Sequence, residues 1–288
     1  MDKKKILLHL DTDRPASTFD QIVAIDAGVE HVLSYDGCQS DQVTGIVHGA
    51  MFTRGPADLK RTAVFIGGRD VLAASLLKHK VESTFFGPFR VSVMCDPNGS
   101  NTTASAAVLL AARHVPLAGA VALVLGGTGP VGSRISQLLG RQGVRVIVAS
   151  RTFGRAQSTC QQLSATVGTN FCEPLACSEP DHAIRAMQSC QLVFAAGAAG
   201  IEFVPSGWLE EQPHLRFAAD VNAVMPVGLA DIDPLDAGVA RGQTVCYGAI
   251  GIGNLKMKLH KQCLRQLFES NDQVLDVDEV FAIGQHSS

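Results

Sequence analysis

No two of the eight cysteines stand as a C-x-x-C pair, and positions 38, 95, 160, 172, 177, 190, 246 and 263 fall in no Cys/His cluster at zinc spacing. No metal is therefore expected, and the thiols read as small buried core residues. A surplus of either charge is also missing: 24 Lys and Arg stand against 27 Asp and Glu, a net of −3. That balance gives no electrostatic reason to expect nucleic acid or an anionic membrane as partner. Long apolar runs are absent as well. After the opening Met-Asp-Lys-Lys-Lys, the apolar stretch from Ile6 is broken by His9 and Asp11, too soon for the core of a signal peptide or for a bilayer span. It reads as the first strand of a cytoplasmic protein.

What is present has the profile of a soluble α/β chain, with 46% apolar and 18% charged residues, and 288 residues fit two domains better than one. The central feature is the run 121–132, Val-Ala-Leu-Val-Leu-Gly-Gly-Thr-Gly-Pro-Val-Gly. Five apolar residues read as a buried parallel strand, and Gly127, Gly129 and Gly132 then stand at G-x-G-x-x-G spacing, enclosing Thr128, Pro130 and Val131. A helical period continues from Ser133. The first glycine permits the sharp turn, the second lets the backbone approach a pyrophosphate, and the third allows close helix–strand packing; the helix N-terminus favours the phosphate charge.

A second strand, residues 143–151, completes the βαβ unit about 20 residues after the first glycine, as that unit requires. A site selective for NAD ends this strand in Asp or Glu, whereas this one ends in Ser150 and Arg151, with Arg155 a turn further on. One hydroxyl and two guanidinium groups suit a dianionic 2′-phosphate, so NADP is the expected cofactor. The other reading has both arginines merely capping and solvating the next helix.

In chain order, strand and helix alternate before this unit, with strands expected at 6–10, 62–68 and 89–96 and a helix over 71–81, which argues for an α/β layer of its own. Ser17 is a candidate helix cap with Asp20 at the third helical position; Asp20 is either a first-turn acid or a ligand group at a strand's carboxyl end. Residues 97–103, Pro-Asn-Gly-Ser-Asn-Thr-Thr, precede an Ala-rich helix at about 104–113 and hold more donors and acceptors than capping needs. Asn98, Ser100 and Thr102 are therefore candidate contacts for a heteroatom-rich ligand. Pro116 and Gly119 mark a boundary, giving a substrate domain 1–115 completed by 254–288 and a nucleotide domain 116–253. Strands 191–197 and 216–222 fit the fourth and fifth of a doubly wound sheet, placing Ala196, Gly197 and Asn222 at the nicotinamide end; Asn222 has the open alternative of a turn residue. Residues 246–253 read as a small apolar backbone segment passing a flat ring. A helix over 254–268 then puts Lys256 and His260 on one face, either a site or a solvated cationic surface.

These runs resemble the NADP-dependent methylene-tetrahydromethanopterin dehydrogenases of methylotrophic and related bacteria. The resemblance is carried by residues 85–92, Phe-Phe-Gly-Pro-Phe-Arg-Val-Ser, by 96–103, by the glycine motif, and by 248–260, Gly-Ala-Ile-Gly-Ile-Gly-Asn-Leu-Lys-Met-Lys-Leu-His. It implies an N-terminal substrate domain, a Rossmann NADP domain, a cleft between them, a C-terminal helix returning to the first domain, and a homo-oligomer. It also implies hydride transfer from the methylene carbon of a reduced pterin one-carbon carrier, tetrahydromethanopterin and in some members tetrahydrofolate, to NADP⁺, leaving the methenyl cation. Asp20, Thr102, Lys256 and His260 match positions at the pterin site, with Lys258 the other lysine on that segment. Ser150-Arg151 departs from the Gly-Arg associated with its position.

Hydride loss from a carbon between two nitrogens leaves a delocalised cation, so that step requires no general base, and the chain has no Ser-x-Tyr-x-x-x-Lys pair to supply one. Lys256 is then expected to orient the carrier. Two other readings stay open: an NADP-sensing binding module without catalysis, and another two-domain oxidoreductase of the shikimate dehydrogenase type, which rests on architecture alone.

Overall fold

A computed structural model describes residues 3–286, so the first two residues of the Met-Asp-Lys-Lys-Lys run and the last two of the chain lie outside the described residues. The elements alternate from the start: β1 (Ile6–Asp11), α1 (Thr18–Asp26), β2 (His31–Tyr35), α2 (Ser40–Phe52), β3 (Thr62–Gly67), α3 (Val71–Thr84), β4 (Ser92–Cys95) and α4 (Ser100–His114). The glycine unit follows as β5 (Val121–Leu125), α5 (Pro130–Arg141) and β6 (Arg145–Ser150), then α6 (Phe153–Val167), β7 (Cys172–Ala176) and α7 (Pro180–Met187). The remainder is β8 (Leu192–Ala195), β9 (Phe217–Asp220), β10 (Ala237–Arg241), β11 (Thr244–Tyr247), α8 (Ala249–Gln266), β12 (Val274–Leu275) and α9 (Val277–Gln285).

Two compact units result, one of Met1–Thr102 with Met257–Ser288, the other of Thr103–Lys256. The divisions fall inside α4 and inside α8, where the sequence suggested the loop at Pro116–Gly119 and residue 254. From Ala104 to Ala111 only Ser105 among the buried residues of α4 is polar, so the helix is core material from its second turn onward.

The first unit is a five-stranded parallel sheet in the order β12-β4-β3-β1-β2. Strand alternation divides its side chains between two faces. Leu8, Leu10, Val64, Ile66 and Val93 pack with Val43 and Val47 of α2 and Leu77 and Val81 of α3. His9, Asp11, Phe65 and Gly67 stand at the alternate positions, paired in register across β1 and β3. The chain after α8 returns to this unit, and β12 adds to β4 at the sheet's edge.

The second unit has the strand order β10-β11-β9-β8-β5-β6-β7, parallel throughout except for β10 against β11. From β5 the chain builds outward first through β6 and β7 and then, on the other side, through β8, β9 and β11. This is the doubly wound Rossmann arrangement, with its switch of direction at β5. Leu123, Leu125, Val193 and Ala218 pack with Ala183, Ile184 and Met187 of α7.

Three departures from the sequence reading have physical causes. β7, absent from that reading, contains Pro174 and lies at a sheet edge, the one place a parallel ladder tolerates a missing N–H. α5 starts at Pro130 instead of Ser133, because proline suits the first helical position. α8 starts at Ala249, so residues 249–253 are already helix, five residues before the start expected at 254. Close packing requires glycine at its start: a Cβ on Gly251 would lie 2.9 Å from the carbonyl carbon of Asp236, and one on Gly248, just before the helix, would lie 2.7 Å from the Cα of Pro234.

Candidate functional site

At the end of β5 the backbone turns at Gly126, whose φ of 69° lies in the left-handed region. Gly127 N–H bonds Ala149 O at 3.0 Å, which ties the turn to β6. A Cβ on Gly132 would stand 2.5 Å from Gly126 O and 2.9 Å from Gly127 Cα, so α5 can approach the turn only with glycine there. Gly129, the N-cap of α5, is different: its Cβ would meet Gly126 O at 3.3 Å and Ala196 O at 3.6 Å. No side chain caps this helix, leaving its N-terminal N–H groups for an anion. The glycines thus form a cradle that Cβ atoms would narrow, and it fits a dinucleotide pyrophosphate.

Neighbouring strand ends bring in the other expected contacts. Thr128 Oγ1 bonds Ser150 Oγ at 3.4 Å, so the glycine turn and the end of β6 meet. Arg151 and Arg155 lie exposed just beyond it, and Thr152, not either arginine, occupies the N-cap of α6. Ala196 N–H bonds Leu125 O at 2.9 Å, and Asn222 Nδ2 donates to Gly197 O at 3.2 Å. The turn carrying Asn222 is held by buried Asp220, which accepts from Asn222 N at 2.9 Å and Leu229 N at 2.7 Å. Burial pushes the Asp220 carboxyl above its usual range, against the N–H groups of Asn222, Leu229 and Gly228 that favour its charge.

In the first unit Ser17 caps α1, its Oγ accepting from Asp20 N at 3.2 Å, a contact worth about 1 kcal/mol. Asp20 is therefore the first-turn acid the pattern predicted, and it is also something more. A ligating atom of Asp20 lies within 4.8 Å of one on His9 and one on Asp11. His9 Nε2 is 3.3 Å from Asp11 Oδ2, both side chains being almost wholly buried. Asp11 also accepts from Asp13 N through Oδ1 and from Ser17 N through Oδ2, each at 2.8 Å. Such a His/Asp/Asp set could embrace a cation, but backbone N–H groups and His9 already take the Asp11 oxygens. Burial alone would raise the Asp11 carboxyl; His9 and the Ser17 and Asp13 N–H groups outweigh it and hold it below the usual range. A depressed folded-state value stabilises the fold above the unfolded-state value, and that contribution is lost as pH falls through the folded value.

Rings connect this group to α8. His9 tilts on Phe65 at 5.5 Å between centroids, Phe65 stacks on His260 at 5.6 Å and 24°, and Phe19 lies 6.5 Å from His260. His260 is fully buried, so the solvated-surface reading fails for it. Lys256, one turn earlier on the same face, is half-buried, while Lys258 is exposed.

The polar run 97–103 is largely spent on itself. Thr102 Oγ1 donates to Asp96 Oδ2 at 2.6 Å and Ser100 Oγ to Pro97 O at 2.7 Å, both buried. Asn101 Nδ2 donates to Cys95 O and to Asp276 Oδ1, the cap of α9. The surplus that the sequence suggested for a ligand thus holds the chain's own turn, and only Asn98, with a φ of 56°, is exposed. The sequence reading places Asp11 in a polar turn at the carboxyl end of the first strand but gives His9 and Phe65 no role. The signal for His9 and Asp11 is the interruption of an apolar strand by two polar residues at alternate positions.

A family model described as methylene-tetrahydromethanopterin dehydrogenase, N-terminal, matches residues 18–98. Over 286 residues the chain is 38% identical to the bifunctional protein MdtA of Methylorubrum extorquens, covering 98% of each chain. The chain belongs to the methylene-tetrahydromethanopterin dehydrogenase family. A second member from the same organism, an NAD(P)-dependent methylenetetrahydromethanopterin dehydrogenase, is 28% identical over 290 aligned positions, covering 96% of this chain and 97% of that one. Among solved structures, shikimate 5-dehydrogenase from Listeria monocytogenes superposes with a TM-score of 0.56 at 12% identity, covering 97% of this chain and 96% of the other. Quinate dehydrogenase from Corynebacterium glutamicum gives 0.55 at 13%, covering 99% and 100%. At such identities the likeness to these two is one of fold alone, and it lends no weight to a shikimate-type activity in this family member.

Proposed function

We propose that this chain is an NADP-dependent dehydrogenase of a methylene-pterin carrier, removing a hydride from the methylene carbon of methylene-tetrahydromethanopterin and, in a second activity, of methylene-tetrahydrofolate. The observation that carries the reading is near-full-length membership of the family, joined to a glycine cradle that fits a pyrophosphate. Bound NADP⁺ supplies the hydride acceptor. The residues of the second unit bind and orient it: the α5 N-terminus takes the pyrophosphate, Ser150, Arg151 and Arg155 take the 2′-phosphate, and Ala196, Gly197 and Asn222 border the nicotinamide. In the first unit Asp20 and His260 contact the carrier, with Asn98 at its edge and Thr102 acting through its bond to Asp96. Catalysis then rests on holding donor carbon and acceptor about 3–3.5 Å apart. NADPH formation with each carrier tests this directly, and turnover of neither sinks it.

Lys256 belongs to the carrier site as an orienting group, since an ammonium beside the reacting carbon would oppose the cationic product. Lys256→Met is expected to raise the carrier KM by about tenfold and lower kcat, with the NADP KM unchanged. Steady-state kinetics in which Lys258→Met shows these losses and Lys256→Met does not would assign the site to the other lysine.

A homo-oligomer is part of the same reading. β2 is an edge strand whose Leu33 and Tyr35 are exposed, and Ile22 and Ile25 of α1 add apolar surface in the same unit, an arrangement that invites a second copy. Light scattering that returns a monomer mass at micromolar concentration would overturn it. All eight cysteines are free and buried, which suits the reducing cytoplasm; among the described residues no helix is long and apolar enough to cross a membrane.

A further inference from the structure

The pair His9–Asp11 is linked to two of the first-unit residues assigned to the carrier, Asp20 and His260, and has no part in the chemistry described so far. One arm runs through hydrogen bonds. Asp11 Oδ2 holds Ser17 N, and Ser17 Oγ in turn holds Asp20 N, so the carboxylate of a strand residue fixes the first turn of α1. The other arm runs through rings, from His9 to Phe65 and from Phe65 to His260. Gly67 keeps the floor open between them: a Cβ there would stand 3.2 Å from His9 Nε2 and 3.5 Å from Asp11 Oδ2. A structural role in the core alone would be met at lower cost by apolar residues, because polar groups taken out of water must first recover their lost hydration through hydrogen bonds.

We propose that His9 and Asp11 are positioning residues, a buried pair that sets Asp20 through the Ser17 cap and His260 through Phe65. The proposal deepens the carrier-site reading above and rests on it for its effect on turnover. Asp20 and His260 come from segments 240 residues apart in sequence, and one anchor linked to both, through Ser17 and through Phe65, holds them within the sub-ångström tolerance beyond which rates fall steeply.

Asp11→Asn preserves size and one acceptor while removing the charge. It should raise the carrier KM by about tenfold, with little change in the NADP KM. Combined with Asp20→Asn it should add less than about twofold to the loss from Asp20→Asn alone, since the two act through one another. Full multiplication of the two losses, or an unchanged carrier KM in Asp11→Asn, overturns the proposal. His9→Gln, which leaves the backbone N–H donors to Asp11 in place, guards against a variant that does not fold. In the full chain it should shift the His260 ring-proton resonances while those of the Gly127–Gly132 amides stay fixed. Unmoved His260 resonances overturn the ring arm whatever the substrate. Absence of turnover by the unmodified chain with either carrier would instead count against the carrier reading and leave the spectra to decide the positioning.

Discussion

Gly132→Ala is expected to lose both stability and cofactor, whereas Gly129→Ala is expected to lose the cofactor alone. The two glycines are three residues apart in one motif, and the space around them separates their roles. At Gly132 the added methyl would stand 2.5 Å from Gly126 O and 2.9 Å from Gly127 Cα, both backbone atoms that move only if the strand–turn–helix unit moves. Overpacking of this kind costs about 1–3 kcal/mol, which lowers Tm by several degrees in a unit of this size. At Gly129 the nearest atoms are at 3.3 and 3.6 Å, and the φ of −83° suits any residue. Gly126 O would have to give by only a few tenths of an ångström, so the fold should survive with a Tm clearly above that of Gly132→Ala. The methyl would occupy the surface where the pyrophosphate approaches, and NADP affinity should fall by at least about tenfold. Thermal melts with calorimetry of NADP binding check both; a Gly129→Ala protein that folds and binds NADP normally would move the pyrophosphate elsewhere.

Arg151→Ala should reduce NADP affinity by about 1.5–3 kcal/mol, roughly 10- to 150-fold, and leave NAD binding nearly unchanged. The guanidinium stands exposed just past Ser150, whose own hydroxyl is joined to Thr128 of the glycine turn. Thr152, not Arg151, stands at the N-cap position of α6, without a side-chain cap bond. Arg151 is exposed, and the proposed function gives its charge to a 2′-phosphate. Titrations with the two cofactors in parallel decide the matter. Equal losses for both would give Arg151 a structural role and return the cofactor preference to Ser150 and Arg155.

The Rossmann unit was legible from local pattern. An apolar run, three glycines at fixed spacing and a second strand about 20 residues on specify a βαβ unit by short-range sterics, and the observed β5, α5 and β6 follow it closely. Asp20 as a first-turn acid was equally legible, since a cap involves residues three apart. The lysine face of α8 was legible as far as helical period reaches: Lys256 and His260 share a side, but which of them the core would bury depends on what packs against that side.

The sequence by itself thus determined the two α/β layers, the dinucleotide turn and, through family resemblance, the chemistry. Only the tertiary structure decided which polar residues were spent on holding the chain and which were brought together as a site. Thr102 and Ser100 looked like ligand contacts because no local rule says where a hydroxyl's proton goes; in the fold it goes to Asp96 and to Pro97 O. His9 and Asp11 read as interruptions of a strand because their partners include Phe65 on β3 and, through Phe65, His260 on α8, up to 251 positions away. Hydrogen bonds and ring contacts reach only a few ångströms, so such a group exists only once the parallel sheet has set β1 beside β3 and the returning C-terminal segment has carried His260 to them.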